Sequence, residues 1–276
     1  MYNNYSSPTL TNCTFTNNSA LEAAGGGMYN AYSSPMLTDC AFTGNNADVA
    51  GGMCNSDSNT TLTNCIFNNN TATNAGGGMY NWECSPILID CSFMNNTATD
   101  GCGMFNWESS PSLANCAFDN NEAFAQGGGM YNYSSSSNPT LTDCTFTNNT
   151  ASLYGGGMHN DTESSPTLIR CTFTNNTAHQ GGGMDNSWYS NPSLTDCIFT
   201  NNTADQGGGM YNWGYSNPTL TDCTLTSNTS DYGNGVLNFR ASTNFFGTNT
   251  SDELLISSIS SLAFSAESTC DVTGST

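Results

Sequence analysis

The sequence predicts an all-β fold: a right-handed, single-stranded parallel β-helix with about 26 residues and three strands per coil. Three observations predict it. A methionine recurs at Met1, Met28, Met53, Met79, Met104, Met130, Met158, Met184 and Met210, with Val236 in the tenth place, at spacings of 25 to 28 residues. A cysteine keeps the same period at Cys13, Cys40, Cys65, Cys91, Cys116, Cys144, Cys171, Cys197 and Cys223. Inside each unit, constant residues alternate with variable ones, which is the period of a strand and not of a helix. A fixed period of this size marks a solenoid. Leucine-rich repeats share the period, but they need several Leu per unit and a helical segment, and each unit here has one repeat Leu.

The strands follow in order. The first is Cys-x-Phe, as at Cys144 and Phe146. The second is Gly-Met-x-Asn, as at Met130 and Asn132. The third is Pro-Thr-Leu-Thr, as at Pro218 to Thr221. Leu, Cys, Phe and Met then point inward and fill the cross-section. The residue after each repeat Met varies (Tyr29, Cys54, Tyr80, Phe105, Tyr131, His159, Asp185, Tyr211) and reads as a surface position. Coils stacked at the strand spacing rise about 4.8 Å each, so nine coils make a rod on the order of 45 Å long.

Stacking turns each inward position into a ladder of like residues. Two asparagine ladders are expected at the bends. One is Asn30, Asn55, Asn81, Asn106, Asn132, Asn160, Asn186, Asn212 and Asn238; the other is Asn18, Asn45, Asn70, Asn96, Asn121, Asn149, Asn176, Asn202 and Asn228. A stacked amide donates to one neighbour and accepts from the other. The glycines before the repeat Met suit a corner of positive φ or close backbone approach. All eight prolines fall in one column at the start of a strand, interrupted only by Thr60; a missing N–H is tolerated there.

Composition narrows the function. There is no Lys, the only Arg are Arg170 and Arg240, and the net charge is −20. Phosphate binding needs Lys or Arg, which argues against nucleic acid as a partner. No apolar run reaches the length of about 18 residues that a membrane helix requires. No export signal is visible. "MYNN" matches the middle of the repeat phrase GGGMYN, so Met1 reads as a repeat methionine and the chain as a fragment or processed form of an exported protein.

"GGGM", followed about 14 residues later by Cys-x-Phe-x-x-Asn, resembles the repeat of polymorphic outer-membrane proteins, which carry Gly-Gly-Ala-Ile and Phe-x-x-Asn motifs on β-helical surface domains. It also resembles right-handed β-helix repeat proteins of bacterial surfaces. The likeness covers residues 1 to about 240. It implies secretion, surface display, adhesion or a structural stalk. Two departures stand out: Gly replaces the family's Ala, and no translocating barrel follows the repeats.

Candidate chemistry is sparse. Asp39, Asp90, Asp143, Asp196 and Asp222 precede the repeat Cys, with Asn12, Asn64 and Asn115 in equivalent places. This is a repeated acidic edge able at most to bind Ca²⁺ weakly, not a unique pair of catalytic carboxylates. No cofactor, metal site or catalytic residue is assigned. The repeat cysteines lack metal spacing and read as free buried thiols. Cys54, Cys84, Cys102 and Cys270 lie outside that ladder, and their pairing is open. Tyr80/Trp82, Phe105/Trp107, Tyr131/Tyr133 and Tyr211/Trp213 are i, i+2 pairs on one outer strand face. They are candidates for stacking on sugar rings, or for a self-stacking ladder that stiffens the rod. Glycosylation sequons at Asn17, Asn69, Asn95, Asn148, Asn175 and Asn201 lie in register and should point outward; turn chemistry explains the same "NNT" text. Outward Thr pairs such as Thr145/Thr147 and Thr172/Thr174 suggest an ice-binding array, but Ala41, Ile66, Ala117 and Ile198 break it.

The β-helix is therefore expected over residues 1–240, in nine to ten coils, with a cap or end segment over 241–276. In that segment Thr250 and Glu253 form a capping-box pattern, with Leu255, Ile259 and Leu262 as apolar positions. A short helix fits, and so does an alternating strand. The functional expectation is a non-catalytic extracellular or cell-surface protein, structural or adhesive, with subunits stacking head to tail into a fibre. The first alternative is a carbohydrate-binding β-helix; the second is a polysaccharide lyase or hydrolase.

Overall fold

The computed structural model describes residues 1–251 and the strands Leu254–Ser257, Ser261–Phe264 and Thr269–Val272. The chain winds as a parallel solenoid. Three sheets run through 11 strands each, and every strand pairs with its counterpart one coil away. The coil that starts at Met79 shows the plan: Met79–Trp82, then Ile87–Ile89, Ser92–Met94 and Thr97–Asp100. These belong to what we call the Met–Asn, Leu, Phe and Ala sheets. Register is constant, as in Met79↔Met104, Leu88↔Leu113 and Phe93↔Phe118.

The Ala sheet adds to the three strands expected per coil. It holds eight strands, from Ser19–Ala24 to Thr203–Gln206. Its inward residue is small: Ala72, Ala98, Ala123, Ala151 and Ala178 form a separate buried cluster with Cys102. Register shifts occur in this sheet, between Ala72 and Ala75 and between Ala98 and Asp100.

The Leu, Cys, Phe and Met columns form one continuous core, as their alternation predicts. The rings from Phe15 to Phe199 stack face to face, with centroids 4.5–4.8 Å apart and planes within 6°. That distance is the inter-strand spacing itself. Each fully buried side chain of this size contributes about 1.5–3 kcal/mol. At the far end the volumes trade places: Leu225 takes the Phe position, and Phe245 takes the Leu position one coil on.

Both asparagine ladders form. In the second, Asn70 shows the full pattern. Its Nδ2 donates to Asn96 Oδ1 at 3.1 Å and to Phe42 O at 2.9 Å, while its Oδ1 accepts from the N–H and the Nδ2 of Asn45. The amide thereby uses two donors and two acceptor sites. This ladder follows the bend made by the sequon asparagines. The other runs inside the Met–Asn strands, as Asn30 does within Met28–Ala31, and not at a bend. Its amides donate one coil onward at 2.7–2.9 Å, beginning at Asn3. A serine column, not anticipated from the sequence, satisfies the next corner: Ser33 N–H donates to Ser58 Oγ, and Cys84 N–H to Ser109 Oγ. Cys84 is thus a member of that column.

The sheets do not stop at residue 240. Ser242–Phe246 and Thr248–Ser251 continue the Leu and Phe sheets, which run on to Ser261–Phe264 and Thr269–Val272. Among the described residues of this segment the helix considered is not formed, and the alternating strand considered beside it is. Thr250 pairs with Thr224 in a strand, and Leu255 and Leu262 are also strand residues. Glu253 and Ile259 lie outside the described residues.

Candidate functional site

The glycine corner shapes the outer face of the rod. In Gly76-Gly77-Gly78 the first residue has φ +70°, and a Cβ there would lie 2.8 Å from Tyr80 Cβ. At Gly78 a Cβ would lie 2.6 Å from Gly103 O of the next coil. Glycine meets both the left-handed turn and the close stacking without a Cβ clash, although Ala50 makes the same turn at φ 58° one coil earlier. The corner therefore folds back over the residue that follows each repeat Met.

This overturns the surface reading of that column. Phe105, Tyr131, Tyr211, Cys54, His159 and Asp185 point away from the core but are buried. The ends of the Ala-sheet strands lie against this column, as Ala75 shares one buried cluster with Phe105 and Tyr131, against which Tyr80 packs. A re-entrant groove results between the Ala sheet and the outer face of the Met–Asn sheet.

The predicted aromatic pairs consequently split. Tyr80, Phe105, Tyr131 and Tyr211 line the inner side; Tyr80 and Phe105 stack at 5.1 Å, and Phe105 meets Tyr131 edge-on at 4.9 Å. The second members stay outside. Trp82 is 42% exposed, Trp107 40% and Tyr133 36%, while Trp213 is half-buried. Trp82 and Trp107 stack at 6.1 Å, and Trp107 meets Tyr133 edge-on at 6.3 Å. An exposed aromatic column thus rims a buried one.

Two consecutive coils break this pattern with polar residues. His159 and Asp185 occupy the inner column, with His159 Nδ1 2.9 Å from Asp185 Oδ1. Ser187 Oγ donates to the same Oδ1 at 2.8 Å, and Asp185 Oδ2, also buried, has no hydrogen-bond partner among the described residues. Asp161 and Ser187 stand where the outer column has Tyr133 and Trp213. Tyr131 donates its hydroxyl to Asp161 at 3.4 Å. Burial, and then the neighbouring Asp161 and Asp100 charges, push the Tyr131 hydroxyl well above its ordinary pKa, and burial raises Tyr211 to about 12. The chain's other histidine makes a similar cross-coil pair, His179 Nδ1 to Asp205 Oδ2 at 2.7 Å, but on the open surface.

A pocket of about 390 Å³ opens at the break. Gln126, Tyr154 and Gln180 from the Ala-sheet side face His159, Asp161 and Trp188. Tyr211 and Trp213, which also line it, were expected as a sugar-stacking pair and His159 only as a variable surface position; Gln126, Tyr154, Asp161, Gln180 and Trp188 were missed. The usable signal was the loss of column identity at adjacent coils.

The other candidates are placed as follows. Asn17, Asn69, Asn95, Asn148, Asn175 and Asn201 are exposed and adopt φ between 53° and 56°. Their role in the fold is the left-handed bend before each ladder asparagine, which Asn tolerates better than most residues. The column of Asp39, Asp90, Asp143, Asp196 and Asp222 makes another left-handed bend. Three of its carboxylates are engaged by neighbours in the column: Asn64 Nδ2 donates to Asp39 at 2.6 Å, Asn115 Nδ2 to Asp90 at 3.2 Å, and Arg170 twice to Asp143 at 2.7 and 2.8 Å. The guanidinium holds the Asp143 carboxyl below its usual range. Among the described residues no three His, Cys, Asp or Glu side chains converge as metal ligands. Cys54, Cys84 and Cys102 are buried and form no disulfide. Cys102 replaces the middle glycine of its corner, and its Sγ lies 2.9 Å from Glu122 O. The side chain of Cys270 lies outside the described residues.

A parallel solenoid with a laddered core and one re-entrant edge defines a β-helical repeat protein. The chain matches the family described as the right-handed β-helix region over residues 1–123 and 112–251. It belongs to that family. No curated protein matches its sequence.

Proposed function

We propose that this chain is a non-catalytic structural and adhesive rod of the cell surface or extracellular space. The observation that carries this reading is the unbroken ladder from Phe15 to Phe199 beside two hydrogen-bonded asparagine ladders. It supports a stiff spacer with a constant cross-section. The Gly-Gly-Gly-Met and Cys-x-Phe-x-x-Asn motifs resemble those of polymorphic outer-membrane proteins, which supports surface display. Coils that stack in constant register within one copy are suited to stack between copies, giving head-to-tail filaments. Electron microscopy with intact-mass measurement tests this. Filaments with a period of one rod, on the order of 50 Å, are expected. Isolated short rods at 29.1 kDa would remove both the filament and the glycoprotein parts.

A second reading, carbohydrate binding, is favoured by the exposure of Trp82, Trp107 and Tyr133 in one column. Flat aromatic faces in a row suit the apolar faces of sugar rings along an extended glycan. Retention on immobilised glycan, lost in Trp82→Ala/Trp107→Ala, is the expected outcome. Release of shorter oligosaccharides by the pure protein would instead support a lyase or hydrolase.

A further inference from the structure

We infer that the pocket at the break in the aromatic columns is a binding site for a single sugar residue of an uncharged glycan, a hexose or N-acetylhexosamine. The inference rests on the carbohydrate reading for its ligand class, but it assigns a different site. In a repeat protein each coil has its neighbours as internal controls. The coil at Met130 reads Met-Tyr-Asn-Tyr and the next reads Met158-His-Asn-Asp. Two aromatic rings are thus exchanged for a histidine and a carboxylate, side by side, and the following coil adds Asp185 and Ser187.

The corner that follows is left-handed in every coil among the described residues, and here it places two aromatic rings: Trp188 and Tyr189 adopt φ of 47° and 64°, as Thr162 and Glu163 do one coil earlier and Gly214 and Tyr215 one coil later. Gly214 of the next coil supplies the room: a Cβ at that position would lie 3.2 Å from Trp188 N and 3.4 Å from Trp188 Cε3. Trp188 is thereby held at the pocket mouth, 48% exposed, with its ring edge-on to Trp213 at 4.3 Å.

The chemistry of the lining fits sugar hydroxyls. His159 lines the pocket; its Nδ1 lies 2.9 Å from Asp185 Oδ1 yet has no hydrogen-bond partner among the described residues, so the imidazole keeps bonding capacity for a sugar hydroxyl. The Gln126 and Gln180 amides supply donors and acceptors, Asp161 accepts, and Trp188 offers a ring face. The volume of about 390 Å³ falls in the range of about 300–1,000 Å³ usual for small-molecule pockets. Charge selects among glycans. Neither Arg170 nor Arg240 lines the pocket, Asp161 does, and the chain carries −20 overall. Uronates and sulfated sugars are repelled.

The test is calorimetric titration of the purified chain with triacetylchitotriose, cellotriose, mannotriose and trigalacturonate. The key variant is His159→Tyr/Asp161→Tyr, which gives this coil the sequence of the one before it and fills the pocket. One-site binding of a neutral trisaccharide is expected, weakened at least tenfold in this double variant, whose melting temperature falls because Asp185 loses its His159 neighbour. Gln180→Ala, on the opposite wall, weakens binding without touching the buried pair. Trp82→Ala/Trp107→Ala leaves it unchanged, because those rings lie coils away. Failure of every neutral trisaccharide to bind, equal binding by the filled variant, or tighter binding of trigalacturonate overturns the inference. Binding lost only in Trp82→Ala/Trp107→Ala overturns it too, and leaves the exposed-column reading standing.

Discussion

Asn106 donates from Nδ2 to Oδ1 of Asn132 across 2.8 Å, and neither side chain is exposed. Asn106 Oδ1 in turn accepts from Asn81 Nδ2. Asn106→Ala therefore orphans one donor and one acceptor in the interior, each worth about 1–3 kcal/mol. A loss of about 2–5 kcal/mol in denaturant unfolding is expected. Because solenoid stability is a nearest-neighbour property, hydrogen exchange should accelerate first in the coils of Asn81 and Asn132. Uniform acceleration along the chain would contradict this.

Phe118 stacks on Phe93 at 4.8 Å and on Phe146 at 4.7 Å. Phe118→Ala opens a void that the rigid column cannot close, at a cost of about 3–5 kcal/mol. Phe118→Leu should cost far less, about 1.5 kcal/mol or below, since Leu225 already occupies this column beside Phe199. Equal losses for the two variants in equilibrium unfolding would show that the column does not behave as a packed stack.

Asp100 carries the clearest acid dependence. Burial raises its carboxyl above the ordinary 3.8, with the Gln126 N–H and His159 pulling the other way. A folded-state pKa above the unfolded one means that the protonated form favours folding. That contribution is complete below 3.8 and is lost as pH rises through the folded value. Asp100→Asn should therefore raise the melting temperature at about pH 7 and leave it nearly unchanged at about pH 3. A larger gain in acid would reverse the sign and refute the assignment.

The column thiols should resist modification in the native state. Cys40, Cys65, Cys116 and Cys144 are buried, and each donates Sγ to the carbonyl two residues back at 3.3–3.4 Å. Outside the column, burial pushes Cys84 up to about 11 and Cys54 further. Maleimide treatment followed by peptide mass mapping should label Cys13, which is half-buried, well before any of these. Labelling of Cys116 without unfolding would count against the packing described.

The core was legible because two periods coincide on it. Phe118 and Cys116 are two residues apart, so they share a strand face, and each recurs one coil later as Phe146 and Cys144. The Ala sheet was not legible, because its inward residues are Ala98 and Ala123 and its outward ones Thr97 and Glu122, with no large apolar side chain to mark a face. The pocket was hidden for a different reason. Alternation places His159 and Asp185 outward correctly, but alternation says nothing about whether the outside is covered, and here the glycine corner folds the Ala-sheet ends over it. At the carboxyl end an alternating strand was one of the expectations, but its place in the sheets was not legible, because Phe245 and Ser251 occupy the Leu and Phe columns, which erases the repeat text while the pairing persists.

The constant register has an evolutionary reading. Since the same columns meet at every junction, cutting out the stretch from Cys116 to Asp143 would bring Ala114 and Asn115 against Cys144 in the same arrangement they already have with Cys116. Recombination between misaligned copies of such a gene yields a longer or shorter rod with no new contact to invent. Length becomes a heritable trait that selection can tune in whole steps. A coil that carries distinctive residues, such as the one with His159, can be moved along the rod by the same events without being rebuilt.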